Sequence, residues 1–198
     1  MRFLACCFVI LLACETVVAQ QQSPFARRTV ESAIEQTRST LHYDPSYVKL
    51  KYPGGDVPID RGVCSDVIIR AFRSVGVDLQ VVVHEDMRRN FSVYPKLWKL
   101  SAPDPNIDHR RVANLMTFFQ RQGKALPVTS SAADYLPGDI VAWDLGGRVL
   151  HLGIVVNTPS SSRGRFLIVH NIGDGAKQED ILFSWRVIGH YRYFHTGL

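Results

Sequence analysis

Past Cys14 the chain holds a single cysteine, Cys64, out of four in all. Long hydrophobic runs are also missing: the stretch from Phe3 to Ala13 falls short of the roughly 20 apolar residues that a membrane-spanning helix needs. There is no Gly-x-Ser-x-Gly elbow and no glycine-rich phosphate loop, so serine-hydrolase and nucleotide chemistry have no support. Neither HExxH nor paired-cysteine spacing occurs, and no metal or other cofactor is expected. His84, Glu85, Asp86, Asp108 and His109 are ligand types without ligand spacing. No block of one charge sign stands out. The net charge of +5 is spread over Arg27, Arg28, Arg88, Arg89, Arg110 and Arg111 with no interleaved aromatics, which argues against nucleic acid as a partner.

Residues 1–19 have the anatomy of a secretory signal peptide: cationic Arg2, the apolar run, and small residues at Val17 and Ala19 before Gln20. Residues 20–198 then suit a single domain with a full hydrophobic core, exported to the periplasm or secreted. An alternative is lipoprotein processing at Leu11-Leu12-Ala13-Cys14, which would leave a lipid anchor on Cys14. Cleavage after Ala19 leaves Cys64 as the only thiol. In an oxidising compartment such a residue is either a buried bystander or a free reactive thiol.

The first half of the chain reads as helical. Ser23-Pro24 opens an amphipathic helix that runs to about Leu41, with Ala26, Val30, Ala33, Ile34, Thr37 and Leu41 on one face. A turn-rich loop, Tyr52 to Pro58, leads to Val63, Val67, Ala71 and Val75 at helical spacing, closed by Gly76. Asp78 is placed to cap a further helix carrying Leu79, Val82, Val83, Met87 and Phe91, although Val81-Val82-Val83 also suits a strand. Asp108 is expected to cap a helix with Val112, Leu115, Met116 and Phe119 inward and Gly123 at its end.

After Pro137-Gly138-Asp139 the period changes. Ile140–Trp143, Leu150–Val156, Phe166–His170 and Val187–Phe194 are short strand-like runs separated by Gly-rich turns. Helices followed by neighbouring strands argue for an α+β fold with an antiparallel sheet.

Cys64 falls in the first turn of its helix, where unpaired backbone N–H groups and the helix dipole favour a thiolate. His151 shares a strand face with Gly153 and Val155, and His170 shares one with Phe166 and Ile168. If the two strands pair, the histidines lie side by side, and we expect them on the sheet face covered by the Cys64 helix. A thiol, a histidine and a residue orienting that histidine form the thiol-nucleophile arrangement.

Cys64-Ser65 at a helix start, the upstream Tyr52-Pro53-Gly54-Gly55, then Pro137-Gly138-Asp139-Ile140-Val141, His151-Leu152-Gly153-Ile154-Val155 and a strand ending in His170 together resemble the NlpC-type cell-wall peptidases of the papain-like superfamily. The likeness covers most of the mature chain. It is nearest to a functionally uncharacterised subgroup of exported bacterial proteins, to which Val83 to Met87, Asn106 to Arg111 and His170 to Gly173 are also similar.

The resemblance implies a papain-like fold in which the nucleophile helix packs on a C-terminal antiparallel sheet. It further implies Cys64 as nucleophile, His151 as general base and His170 as orienting group, with Asn171 as the fallback. The Cys64 N–H would hold the oxyanion and Tyr52 would add a side-chain donor, while Ser65, Asp66, Asp86 and Asp108 are further candidates for substrate contact. Val63 stands where many members have an Asp that holds a free substrate amine, and Asp66 stands where they have Gly. The implied activity is hydrolysis of amide bonds in cell-wall peptides or similar peptide-like substrates. A non-catalytic envelope-binding module and a thiol acyltransferase on the same fold are the alternatives.

Overall fold

The computed structural model describes residues 23–161 and 164–193. The expected signal peptide, its cleavage site, Cys14 and Phe194 lie outside the described residues. Among those residues no helix is long and apolar enough to cross a membrane.

Among the described residues four α-helices precede a five-stranded sheet. Helix α1 (Pro24–Ser39) starts where Ser23 accepts the Ala26 N–H, and it buries Ala26, Val30 and Ala33. Leu41, expected on that face, lies beyond the helix and is exposed. Two residues on either side of the next loop, β1 (His42–Tyr43) and β2 (Arg61–Gly62), pair in parallel.

Helix α2 (Cys64–Arg73) is buried from Cys64 to Phe72, with Val67, Ile68, Ile69, Ala71 and Phe72 in the main core and its buried polar groups hydrogen-bonded. Of its two buried charged residues, Asp66 and Arg70, the second is used as a clamp. The guanidinium donates to Asp56, to Thr40 Oγ1 and to the carbonyls of Val57, Pro58 and Arg61, fixing the loop that delivers the chain to Cys64. Gly76 closes the helix with φ of 83°.

Asp78 caps α3 (Leu79–Asn90) by accepting the Gln80 N–H, so the valine run is helical. Leu79, Val83 and Met87 recur every four residues and face inward, which outweighs the strand preference of Val81-Val82-Val83. Asp108 is not the cap expected of it. A 3-10 turn, Asp108–Arg110, intervenes, and α4 (Val112–Arg121) begins from Arg111 without a side-chain cap.

The sheet comprises β3 (Ile140–Asp144), β4 (Leu150–Pro159), β5 (Phe166–Asn171), β6 (Ala176–Glu179) and β7 (Arg186–Tyr191) in the order β6-β5-β4-β3-β7, all neighbours antiparallel. The α+β expectation therefore holds, with β6 as an unforeseen edge strand. One face, with Ile140, Ala142, Leu152, Ile154, Val156 and Val169, joins the helices in the main core. The other, with Val141, Trp143, Val155 and Ile168, is closed by Tyr135 and Leu182.

Candidate active site

The alternation of β4 decides how the site is built. Leu152, Ile154 and Val156 belong to the core shared with α2, so His151, Gly153 and Val155 turn the other way. His151 accordingly packs on Trp143 at 5.8 Å between ring centroids and on Trp185 at 6.0 Å. His170, in step with Ile168, occupies the same face, and its Nδ1 is 2.9 Å from His151 Nε2. The histidines are side by side, as expected. They are not on the sheet face that α2 covers, because α2 takes the even-numbered residues of β4 and leaves the odd-numbered ones to the Trp143 side.

The sulfur nevertheless reaches the strand. Val155 gives its N–H to Asp139 and its carbonyl to the Gly138 N–H, both on the β3 side, so two-residue alternation points the Leu152 N–H toward β5. Pairing between β4 and β5 includes Ile154 with Val169 but does not continue to Leu152. That N–H instead meets the Cys64 thiol, together with the N–H groups of Ser65 and of Cys64 itself. The thiol thus sits by the N–H of the residue that follows His151 in β4.

The thiol and the imidazole of His151 are both uncharged at rest. Burial pushes the Cys64 thiol up to about 11, outweighing the pull of the three N–H groups, and the nearby Asp66 charge adds to the rise. The thiolate expected from the helix start is therefore not the resting form. Burial also drives His151 down to about 3, with His170 adding to the drop, so its imidazole is uncharged. His170 is lowered by burial as well, opposed by Glu179, whose Oε2 lies 2.7 Å from His170 Nε2.

A cleft of about 180 Å³ opens at Cys64 between Tyr43, Pro45, Val63, Ile107, Val112, Leu150 and Arg110. Its aromatic hydroxyl is that of Tyr43, which feels the Cys64 charge. Tyr52, the expected donor, packs on His84 with centroids 5.3 Å apart and does not line this cleft.

Asp66 is held inside. Its carboxylate accepts the Val63 N–H at 2.7 Å and two N–H groups of Arg110 at 2.9 Å. Ser65 donates to the Arg110 carbonyl at 2.7 Å, and Asn171 donates to the carbonyls of Gly62 and His42. All three brace the nucleophile's surroundings.

Asp86 and Asp108 lie outside the cleft. Asp86 ties α3 to α4 by accepting from Arg121, Asn90 and the Tyr94 hydroxyl. Asp108 accepts from Arg111 at 3.0 Å and from the Asp104 N–H. His109 is buried, and its Nδ1 has no hydrogen-bond partner. Among the described residues no group of His, Cys, Asp and Glu is arranged to hold a metal ion.

Sequence reasoning missed Tyr43, Arg110 as the partner of Asp66, and Glu179. Only Glu179 left a usable signal, its position in a short polar segment directly after the turn that follows His170.

Residues 30–193 match the family described as Domain of unknown function (DUF1287), and the chain belongs to that family. It is 55% identical over 177 residues to the uncharacterized protein YijF of Escherichia coli (strain K12), a match covering 89% of this chain and 86% of that protein. No solved structure matches it.

Proposed function

We propose that this family member is an exported thiol hydrolase of papain-like, NlpC-type architecture, cleaving amide bonds in cell-wall peptides through an acyl-enzyme on Cys64. The observation that carries the reading is a helix-start thiol whose charged form the Leu152 N–H favours, Leu152 being next in the chain to a histidine that is bonded to a second histidine.

In this mechanism the neutral pair reacts without a prior charge separation. His151 Nδ1 takes the proton from Sγ as sulfur attacks the substrate carbonyl. Negative charge moves to the carbonyl oxygen, where the Cys64 N–H and the Tyr43 hydroxyl are the candidate donors. The C–N bond then breaks, and His151 returns the proton to the leaving amine. Water, deprotonated by His151, hydrolyses the thioester. The apolar cleft walls and the internally satisfied Asp66 favour an uncharged acyl part over a free amino terminus.

The binding-module alternative is favoured by one observation, the 6% exposure of Cys64. An acyltransferase would use the same steps with an amine in place of water. Cys64→Ala, assayed by the masses of fragments released from defined cell-wall peptides, tests the reading. Loss of release with the variant is expected. Equal release by both forms would overturn it, and binding without release by either would favour the module.

A further inference from the structure

We infer that Glu179 is a positioning residue: acting through His170, it fixes the proton pattern of both site histidines and leaves His151 Nδ1 bare to act as the base. The inference rests on the hydrolase reading and extends it by one residue.

The argument follows the hydrogen bonds inward from the carboxylate. An ionised carboxylate only accepts, so the 2.7 Å contact to Glu179 requires the proton of His170 to sit on Nε2. A neutral imidazole carries one N–H. His170 Nδ1 is then an acceptor, and the 2.9 Å contact must use a proton on His151 Nε2. His151 in turn has no proton left for Nδ1. That nitrogen makes no hydrogen bond among the described residues, and its lone pair is available. Burial of both rings, with His151 3% and His170 1% exposed, keeps them in the uncharged state the argument needs.

The neighbours of Glu179 single it out. Lys177 lies directly across from His170 in the β5–β6 pairing, but its ammonium is joined to Asp174 at 3.1 Å. Glu179 is the carboxylate on the ring. Without an acceptor there, the same two histidines could bond in the reverse sense, with His170 Nδ1–H donating to His151 Nε2. His151 would then carry its proton on Nδ1 and could not receive one from the thiol.

Two-bond proton–nitrogen correlation spectra of protein labelled at histidine nitrogen report these tautomers directly. His151→Gln and His170→Gln variants assign the signals. In the wild type both rings are expected to carry the proton on Nε2. Glu179→Leu is expected to move His151 toward the Nδ1–H form and to lower kcat with little change in KM. Glu179→Gln, which still accepts through its amide oxygen, retains most of the wild-type pattern. A wild-type His151 protonated on Nδ1, or tautomers unchanged in Glu179→Leu, would overturn the inference. Should the leucine variant not fold, the wild-type spectrum still decides. The tautomers are read without turnover, so their outcome is separate from that of the Cys64→Ala assay.

Discussion

Asp66 and Arg110, 44 residues apart in sequence, form a two-pronged ion pair with both contacts at 2.9 Å and both side chains buried beneath the nucleophile. The pair joins the first turn of α2 to the 3-10 turn before α4, and Gly62 makes room for it. A Cβ on Gly62 would stand 2.9 Å from Asp66 Oδ2. Removing one partner leaves the other charge buried and unpaired, which typically costs about 3–5 kcal/mol. Asp66→Ala is expected to destabilise the fold by that order in urea denaturation. The double variant Asp66→Ala with Arg110→Met is expected to cost less than the sum of the two single changes. Additive losses would show that the charges do not depend on each other.

The Cys64 thiol predicts an alkaline effect of definite sign. An unfolded thiol ionises near 9.0, whereas the native one holds its proton up to about 11. Across that window the native state binds more protons than the unfolded state, so stability falls as pH rises, by roughly 2–3 kcal/mol for this group. Cys64→Ala should flatten this part of the pH profile. For the same reason, alkylation of the native protein at pH 7 is expected to be about a hundredfold slower than that of a free thiol. Fast alkylation at neutral pH would mean a preformed thiolate–imidazolium pair and a different first step.

His109 predicts the opposite flank. Burial, assisted by Arg73 and Arg110, lowers it from 6.5 to about 3, so it stays uncharged in the native state. An unfolded histidine takes up a proton below 6.5. Between that value and about 3 the unfolded state binds more protons, and stability is lost as pH falls. His109→Gln, neutral throughout, should lessen the loss between pH 7 and pH 4 by about 2–4 kcal/mol. Urea midpoints at several pH values check it, and parallel profiles for the two proteins would refute it.

Much of this was legible in the sequence because it is local. Ser23, Asp78 and Gly76 act as helix boundaries within a turn of their own positions, and the period-two pattern around His151 and His170 puts them on one sheet face. What escaped depends on long-range choices. Periodicity says that His151 and Leu152 face opposite ways but not which side the helices cover. Arg110 and Asp66 meet only after two segments pack together. Tyr43 enters the cleft because β1 pairs with β2 next to Cys64, and two-residue strands leave no pattern to read. Glu179 belongs to a strand whose polar residues suggest a loop.

Gly153 links the packing of the sheet to the histidine pair. It is not among the glycines with positive φ, so its backbone conformation is open to other residues, and the need for glycine here is one of space. A Cβ at this position would lie 2.4 Å from Ile168 Cγ2 and 3.2 Å from the Trp143 ring. Ile168 and Trp143 are both fully buried and cannot swing clear, so β5 must shift away from β4. His170 rides on β5 and His151 on β4, and the shift falls on the 2.9 Å contact between them. Gly153→Ala is expected to cost about 1–3 kcal/mol in stability and to weaken that hydrogen bond, visible as a change in the His151 and His170 nitrogen signals. Adding Ile168→Ala removes the methyl that the new Cβ meets. The double variant should then regain the wild-type tautomer pattern even though it has lost core volume. If the pattern fails to return while the protein remains folded, then crowding at Ile168 is not what displaces the pair.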